Sequence, residues 1–178
     1  MSDIKASLRG EKEAYERLIK RHEKQITGLM WRFSRDRRTC EELVQEVFVQ
    51  AYFSLKTYRG RAPFIHWLRK IGTRIGYHFW KDQTKREQVL PLADYDRAET
   101  EKSESQAGEI LHRLLARLAR PDRLVLTLMY FENLTTQEIA EQTGSTRAMV
   151  KMRAMRARRR LKGIAERENL LEKLKWTD

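Results

Sequence analysis

Between Arg147 and Lys162 the chain carries Arg147, Lys151, Arg153, Arg156, Arg158, Arg159, Arg160 and Lys162, and no acid. Cations at that density on one predicted helix suit phosphates, and an arginine can grip a guanine edge through two donors. Met152, among them, can offer a base only apolar contact, for instance to a thymine methyl. Just upstream, Ala140 and Gly144 stand four apart, with Ile139 before and Val150 after. A helix-turn-helix needs a small residue where its helices nearly touch and one tolerating positive φ in the turn. This spacing meets both needs, so the basic segment is predicted to enter a DNA major groove. A merely solvated basic helix is the bland alternative, and the turn geometry argues against it.

Two further constellations are weaker. Lys70, Arg74, Lys81 and Lys85 share one side of a predicted helix, with His78 between them and Trp67, Tyr77, Phe79 and Trp80 interspersed. Aromatics stack on bases while cations follow the backbone, which suits single-stranded or opened DNA; the same aromatics could equally be core. Glu42, Gln45, Glu46 and Gln50 make an acidic, amide-rich strip repelled by DNA and suited to arginines of a protein, or to plain solvent. Catalytic groupings are lacking: His22, His66, His78 and His112 are scattered, no glycine-rich phosphate loop occurs, and Cys40 lies at an apolar helix start where burial is expected. The chain reads as a non-enzyme with no cofactor and no metal site.

The elements that must position these groups are helices. An apolar stripe of Ala14, Tyr15, Leu18, Ile19, Ile26, Leu29, Met30 and Phe33 predicts a helix over 11–34. Thr39 with Glu42 has the spacing of a capping box, opening a helix with Leu43, Val47, Ala51 and Leu55 beside Val44, Phe48 and Tyr52. Pro63 suits the first position of a third helix, 64–86, with Phe64, Trp67, Leu68, Ile71 and Ile75 inward. Downstream, Ile110, Leu111, Leu114, Leu115 and Leu118 mark another helix. Pro121 opens the next, and Thr135 with Glu138 repeats the capping-box spacing. Ile164, Leu170, Leu171, Leu174 and Trp176 suggest an amphipathic tail, more apt to pack on the preceding bundle than to serve a partner.

Charge divides the chain. Residues 1–86 are net +10, 87–109 net −5 and 110–178 net +7, within a total of +12 over 178 residues. The middle segment, with Pro91 and little apolar periodicity, reads as a flexible acidic linker. Extended, its 23 residues reach about 75 Å. A pI near 10.0 favours a polyanionic partner. No apolar run approaches the ~20 residues of a membrane span, no segment resembles a signal peptide, and a single cysteine permits no internal disulfide. A soluble cytoplasmic protein without direct membrane insertion is expected.

In this order, Glu42-Leu-Val-Gln-Glu-Val-Phe48, Tyr58-Arg-Gly60, Trp67-Leu68 and the helix-turn-helix resemble the bacterial extracytoplasmic-function sigma factors of the sigma-70 family, over about residues 8–162. The resemblance implies an all-α chain of two small helical domains joined by a flexible acidic linker. A σ2-like three-to-four-helix bundle occupies 1–86, the linker 87–109, a σ4-like helix-turn-helix bundle 110–162 and a C-terminal tail 163–178. It implies a specificity subunit that directs core RNA polymerase to −10/−35 promoters, touching the β′ clamp helices and the β flap. An anti-sigma factor would be a further partner. Carried over residue by residue, Glu42, Gln45, Glu46, Val49 and Gln50 would bind core polymerase. Tyr58, Arg59, Gly60, Arg61, Ala62, Trp67, Lys70, Arg74, Tyr77 and Lys81 would engage the melted −10 element. Thr135, Thr136, Thr146, Arg147, Lys151, Met152, Arg153, Met155, Arg156 and Arg158 would engage the double-stranded −35 element. Among these, Thr146 would cap the recognition helix, Lys151, Met152, Met155 and Arg156 would face bases, and Arg153 and Arg158 would serve phosphates or neighbouring packing. Arg74, His78, Ala119-Arg-Pro121, Ala148, Met149 and Met152 depart from the family's usual residues, which leaves the promoter sequence open. The alternative, an autonomous helix-turn-helix regulator, would need a dimer interface or effector pocket that is not apparent.

Overall fold

A computed structural model describes residues 2–89 and 106–170. It divides into two compact units, Met1–Thr100 and Glu101–Asp178, and the described residues hold helices and no strand. Most of the 87–109 linker lies outside the described residues, as does the tail from residue 171.

The first unit contains α1 (Ser2–Leu8), α2 (Lys12–Met30), α3 (Arg37–Ser54), a 3₁₀ turn (Leu55–Thr57) and α4 (Phe64–Val89). Helices α2, α3 and α4 pack mutually around Leu18, Ile26, Leu29, Met30, Val47 and Leu68, all fully buried. Helix α1 is an addition to the sequence reading. It lies on α2, held by Asp3, whose carboxylate accepts from Arg17 and Arg21, each at 2.9 Å. The predicted 11–34 helix stops at Met30, and Phe33 sits in the turn beyond it. There its ring meets Gly76 of α4 so closely that a Cβ at Gly76 would fall inside the ring's van der Waals surface. One turn on, Trp80 packs against Phe33 at 4.6 Å between ring centroids and donates its indole N–H to the Phe33 carbonyl at 2.8 Å. The Phe33–Trp80 contact therefore locks α4 against the end of α2.

Helix α3 begins earlier than expected. Its N-cap is Asp36, whose carboxylate accepts from the Thr39 amide at 2.7 Å and the Thr39 hydroxyl at 2.6 Å. Asp36 is a stronger cap than a threonine, because its charge complements the helix dipole. Those bonds to Thr39 hold its carboxyl below the usual carboxylate range. Glu42 is left to pair with Arg38 on the surface. Pro63 lies just before α4 and its carbonyl accepts from the His66 amide, a one-residue difference at a helix end.

The second unit contains α5 (Gln106–Ala116), α6 (Arg120–Tyr130), α7 (Thr136–Thr143) and α8 (Arg147–Arg167). Pro121 lies in the first turn of α6, where its missing N–H costs nothing. Leu114, Leu115 and Leu118 pack with Leu126, Ala157, Leu161, Ile164 and Ala165. Because this apolar stripe continues past residue 162, α8 runs through the expected start of the tail. The chain leaves it through Asn169 in the left-handed region, the Leu170 amide donating to the Ala165 carbonyl at 2.9 Å. Ile164 is buried and Leu170 packs on the same cluster, so the described start of the tail packs on its own unit.

Candidate nucleic-acid interface

Three surfaces carry the candidate residues, two on the first unit and one on the second. On α3, Glu42, Gln45, Glu46, Val49 and Gln50 all face solvent, because Leu43, Val44, Val47, Phe48 and Ala51 turn the opposite side inward. Beside them the structure exposes two side chains that sequence reasoning missed or turned inward. Phe53 is 73% exposed, Val49 52%, and Tyr52 is also open despite its predicted place in the stripe. Val49 and Phe53 stand one turn apart, so the strip is acidic toward its N-terminal end and apolar toward its C-terminal end. The missed signal was that Phe53 is four residues after Val49 and out of phase with the buried positions.

The second surface joins the 57–62 loop to α4. Thr57, Tyr58, Arg59, Gly60, Arg61, Ala62, His66, Trp67 and Lys70 line an open depression of about 210 Å³. Gly60 takes a left-handed φ of 69°, and the Tyr58 hydroxyl donates to the Ala62 carbonyl at 2.6 Å, closing the loop on itself. Tyr58 and Trp67 stand 5.6 Å apart, each also against Phe64. Two aromatics and several cations thus meet in one hollow. Arg74, Tyr77 and Lys81 continue from Lys70 at helical spacing along α4, the two cations exposed and the tyrosine half-buried. Trp80 does not belong to this face, since it is buried on Phe33. His66 is an addition, one turn before Lys70.

On the third surface the helix-turn-helix has its predicted form. Thr135 and Glu138 complete a reciprocal capping box at the start of α7, with the Thr135 amide donating to Glu138 at 2.8 Å. Gly144 lies at φ 65° and Ile139 and Val150 are fully buried. The Thr146 hydroxyl caps α8, accepting from the Met149 amide at 3.2 Å. Arg147 Nε donates to the Thr136 hydroxyl at 3.3 Å, tying the two helix starts together. Lys151, Met152 and Met155 face solvent.

Arg156, expected to face bases, makes a bidentate pair within its own unit while its side chain stays 57% exposed. Its Nε and Nη2 donate to the two carboxylate oxygens of Asp122 on α6, at 2.9 and 2.7 Å, and Asp122 is buried. The bidentate bond raises the Arg156 pKa further. A buried carboxylate left without its partner is costly, so the arginine is held by its own fold. Arg158 donates to the Tyr130 hydroxyl at 2.7 Å and lies over that ring, and Arg153 donates to Ser145 at 3.2 Å. Cys40 is buried, its thiol pushed up to about 11 by burial. Burial also lowers His22, which packs against Phe64. Among the described residues no helix is long and apolar enough to cross a membrane.

Comparison with known proteins bears on both units. Residues 18–86 match the family described as Sigma-70 region 2, and residues 108–161 match Sigma-70, region 4. The chain is 28% identical to the ECF RNA polymerase sigma-E factor of Haemophilus influenzae, over 84% of this chain and 86% of that one. It is 27% identical to the RNA polymerase sigma-H factor of Pseudomonas aeruginosa, over 84% and 85%. In fold it is similar to CnrH, solved in complex with the cytosolic domain of CnrY, at a TM-score of 0.65 and 20% identity over 92% and 95% of the two chains. It is similar also to the sigma factor RpoE of Bartonella quintana, solved with the anti-sigma factor NepR, at 0.62 and 17% over 85% and 96%.

Proposed function

The chain belongs to the sigma-70 family, as an extracytoplasmic-function RNA polymerase sigma factor, and from that premise we propose how its surfaces divide the work of promoter recognition. Such a factor brings core polymerase to promoter DNA and initiates transcription. The residue assignments that follow rest on the exposed strip of α3, the aromatic depression and the helix-turn-helix.

The α3 strip, Glu42, Gln45, Glu46, Val49 and Gln50 with Phe53, docks on the β′ clamp helices: carboxylates meet basic side chains while Val49 and Phe53 bury apolar surface. The depression at Tyr58–Ala62, Trp67 and Lys70 receives a base extruded from the −10 element, with Arg74, Tyr77 and Lys81 following the strand along α4. Stacking of the base on an open face of Tyr58 or Trp67 offsets part of the unstacking cost. Thr136, Thr146, Arg147, Lys151, Met152 and Met155 engage the −35 element, while the rest of the second unit meets the β flap. Region 1–86 acts as σ2, 110–162 as σ4, and the acidic 87–109 segment links them through the polymerase channel. The tether makes the second DNA contact intramolecular. The factor works in the cytoplasm as a specificity subunit without chemistry of its own. A protein that seals these surfaces, as NepR accompanies RpoE, is its expected regulator.

The observation that carries this division is the Tyr58–Trp67 hollow beside a cationic helix face. Core polymerase reconstituted with the chain should transcribe from a selected promoter. Replacing Arg59–Ala62 should alter preference at one or two −10 positions and leave −35 preference untouched. Permanganate footprints with unchanged melting and unchanged −10 preference would contradict the assignment.

A further inference from the structure

Helix α8 presents DNA with a surface unlike its composition. Nine cations lie on it, at 147, 151, 153, 156, 158, 159, 160, 162 and 167, and its first acid is Glu166. Yet four of the cations in its first three turns or just beyond are engaged by the second unit itself: Arg147 by Thr136, Arg153 by Ser145, Arg156 by Asp122 and Arg158 by Tyr130. What remains at the centre of the outward face is apolar. Met149, Met152 and Met155 are 40, 53 and 67% exposed, and Ala148 is exposed beside them. At about 100° per residue, Met152 falls nearly opposite the buried stripe of Val150, Ala154, Ala157 and Leu161. Ala148, Met152 and Met155 follow at i, i+4 and i+7 along the same line, with Lys151 on one flank, Arg160 on the other and Arg159 continuing the line.

We propose that α8 reads its double-stranded element chiefly through thymine 5-methyl groups, packed on the strip of Ala148, Met149, Met152 and Met155. The proposal rests on the reading of α8 as the −35 helix and adds what that helix recognises. A thioether can donate no hydrogen bond, and in the major groove the only apolar group on a base edge is the thymine methyl. Methionine is long and unbranched, so it can follow a methyl across the groove floor. The charge pattern favours DNA over an apolar protein partner: cations flank the strip on both sides, where phosphates flank a groove, and α8 itself carries no acid before Glu166. With Arg156 held by Asp122, guanine readout falls to Lys151 or Arg159 at the strip's margins, so the preferred element is thymine-rich on one strand or the other at its centre.

The test uses holoenzyme assembled from core polymerase and the full chain. A promoter library randomised at −35 identifies the preferred element. Its thymines are then replaced one at a time by deoxyuridine, which pairs as thymine does but lacks the methyl. At two or more central positions, the replacement should lower promoter binding about four-fold, the worth of one buried methyl group. With Met152→Ser and Met155→Ser the same replacements should become neutral, and with Met152→Leu the sensitivity should persist. Selective transcription that is indifferent to deoxyuridine at every −35 position overturns methyl readout and leaves the sigma assignment standing. So does unchanged −35 selectivity in the double serine variant, which would make the strip a protein-docking face. A chain that gives no promoter-dependent transcription with core polymerase overturns both.

Discussion

Truncating Phe53 isolates the apolar half of the proposed polymerase contact. Its side chain is 73% exposed and makes one described aromatic contact, to Tyr52 at 5.9 Å, so little folding free energy depends on it. Phe53→Ala should leave the unfolding midpoint of the first unit within about 0.5 kcal/mol of the parent. Docking would remove the exposed part from water. Full burial of a phenylalanine contributes up to about 3 kcal/mol, so three-quarters of it is worth about 2 kcal/mol. That corresponds to about thirty-fold in Kd. Val49→Ala, losing two methyls that are half exposed, should add less than about 1 kcal/mol. The assay is competition between wild-type and variant chains for limiting core polymerase, read by labelled holoenzyme. Salt separates the two halves of the contact: the Phe53 loss should persist at high ionic strength, whereas a Glu46→Lys loss should shrink as charges are screened. If folded Phe53→Ala binds core polymerase undiminished, the apolar end of the α3 strip is not part of the interface.

Three other outcomes follow from the packing. Gly76→Ala should destabilise the first unit by about 1–3 kcal/mol, because the new methyl collides with the Phe33 ring, and hydrogen exchange on α2 and α4 should speed up. Arg156→Ala should lower the unfolding midpoint of the second unit by stranding Asp122, with selectivity at individual −35 positions retained among the promoters it still transcribes. A flattened preference at a single position with an unchanged midpoint would restore Arg156 to the groove. Cys40, with its thiol pushed up to about 11 by burial, should resist iodoacetamide at pH 8 in the native protein and react promptly in denaturant. Its alkylation should quicken only as pH approaches that value, since the reactive thiolate forms there.

The elements that were legible in the sequence are those specified locally. The capping box at Thr135, the left-handed Gly144, the Thr146 cap and the buried Ile139 and Val150 are each dictated by a few neighbouring residues, and the structure holds all of them. Local cues misled at α3, where Thr39 and Glu42 had the right spacing but Asp36 was the better cap. What could not be read were pairings made across the fold. The Arg156–Asp122 pair spans 34 residues, and the Trp80 bond to Phe33 spans 47. Nothing in the periodicity of α8 distinguishes an arginine aimed at DNA from one aimed at α6, and nothing in α4 marks which of its aromatics is core. Helix α1 was missed because its buried residues are the small Ala6 and Ser7 and its other tie to α2 is the Asp3 ion pairs, which together leave little apolar pattern.

The engagement of Arg156 by Asp122 also bears on how this protein can change over generations. Asp122 is buried and Arg156 is its bidentate partner, so loss of that arginine costs the second unit stability, whereas Met149, Met152 and Met155 stand exposed. A lineage can therefore substitute the exposed methionines and acquire new target genes without falling below the threshold needed to fold. Regulatory divergence after duplication would be cheap at those three positions and blocked at Arg156, so paralogues of this chain should vary in the former and keep the latter paired.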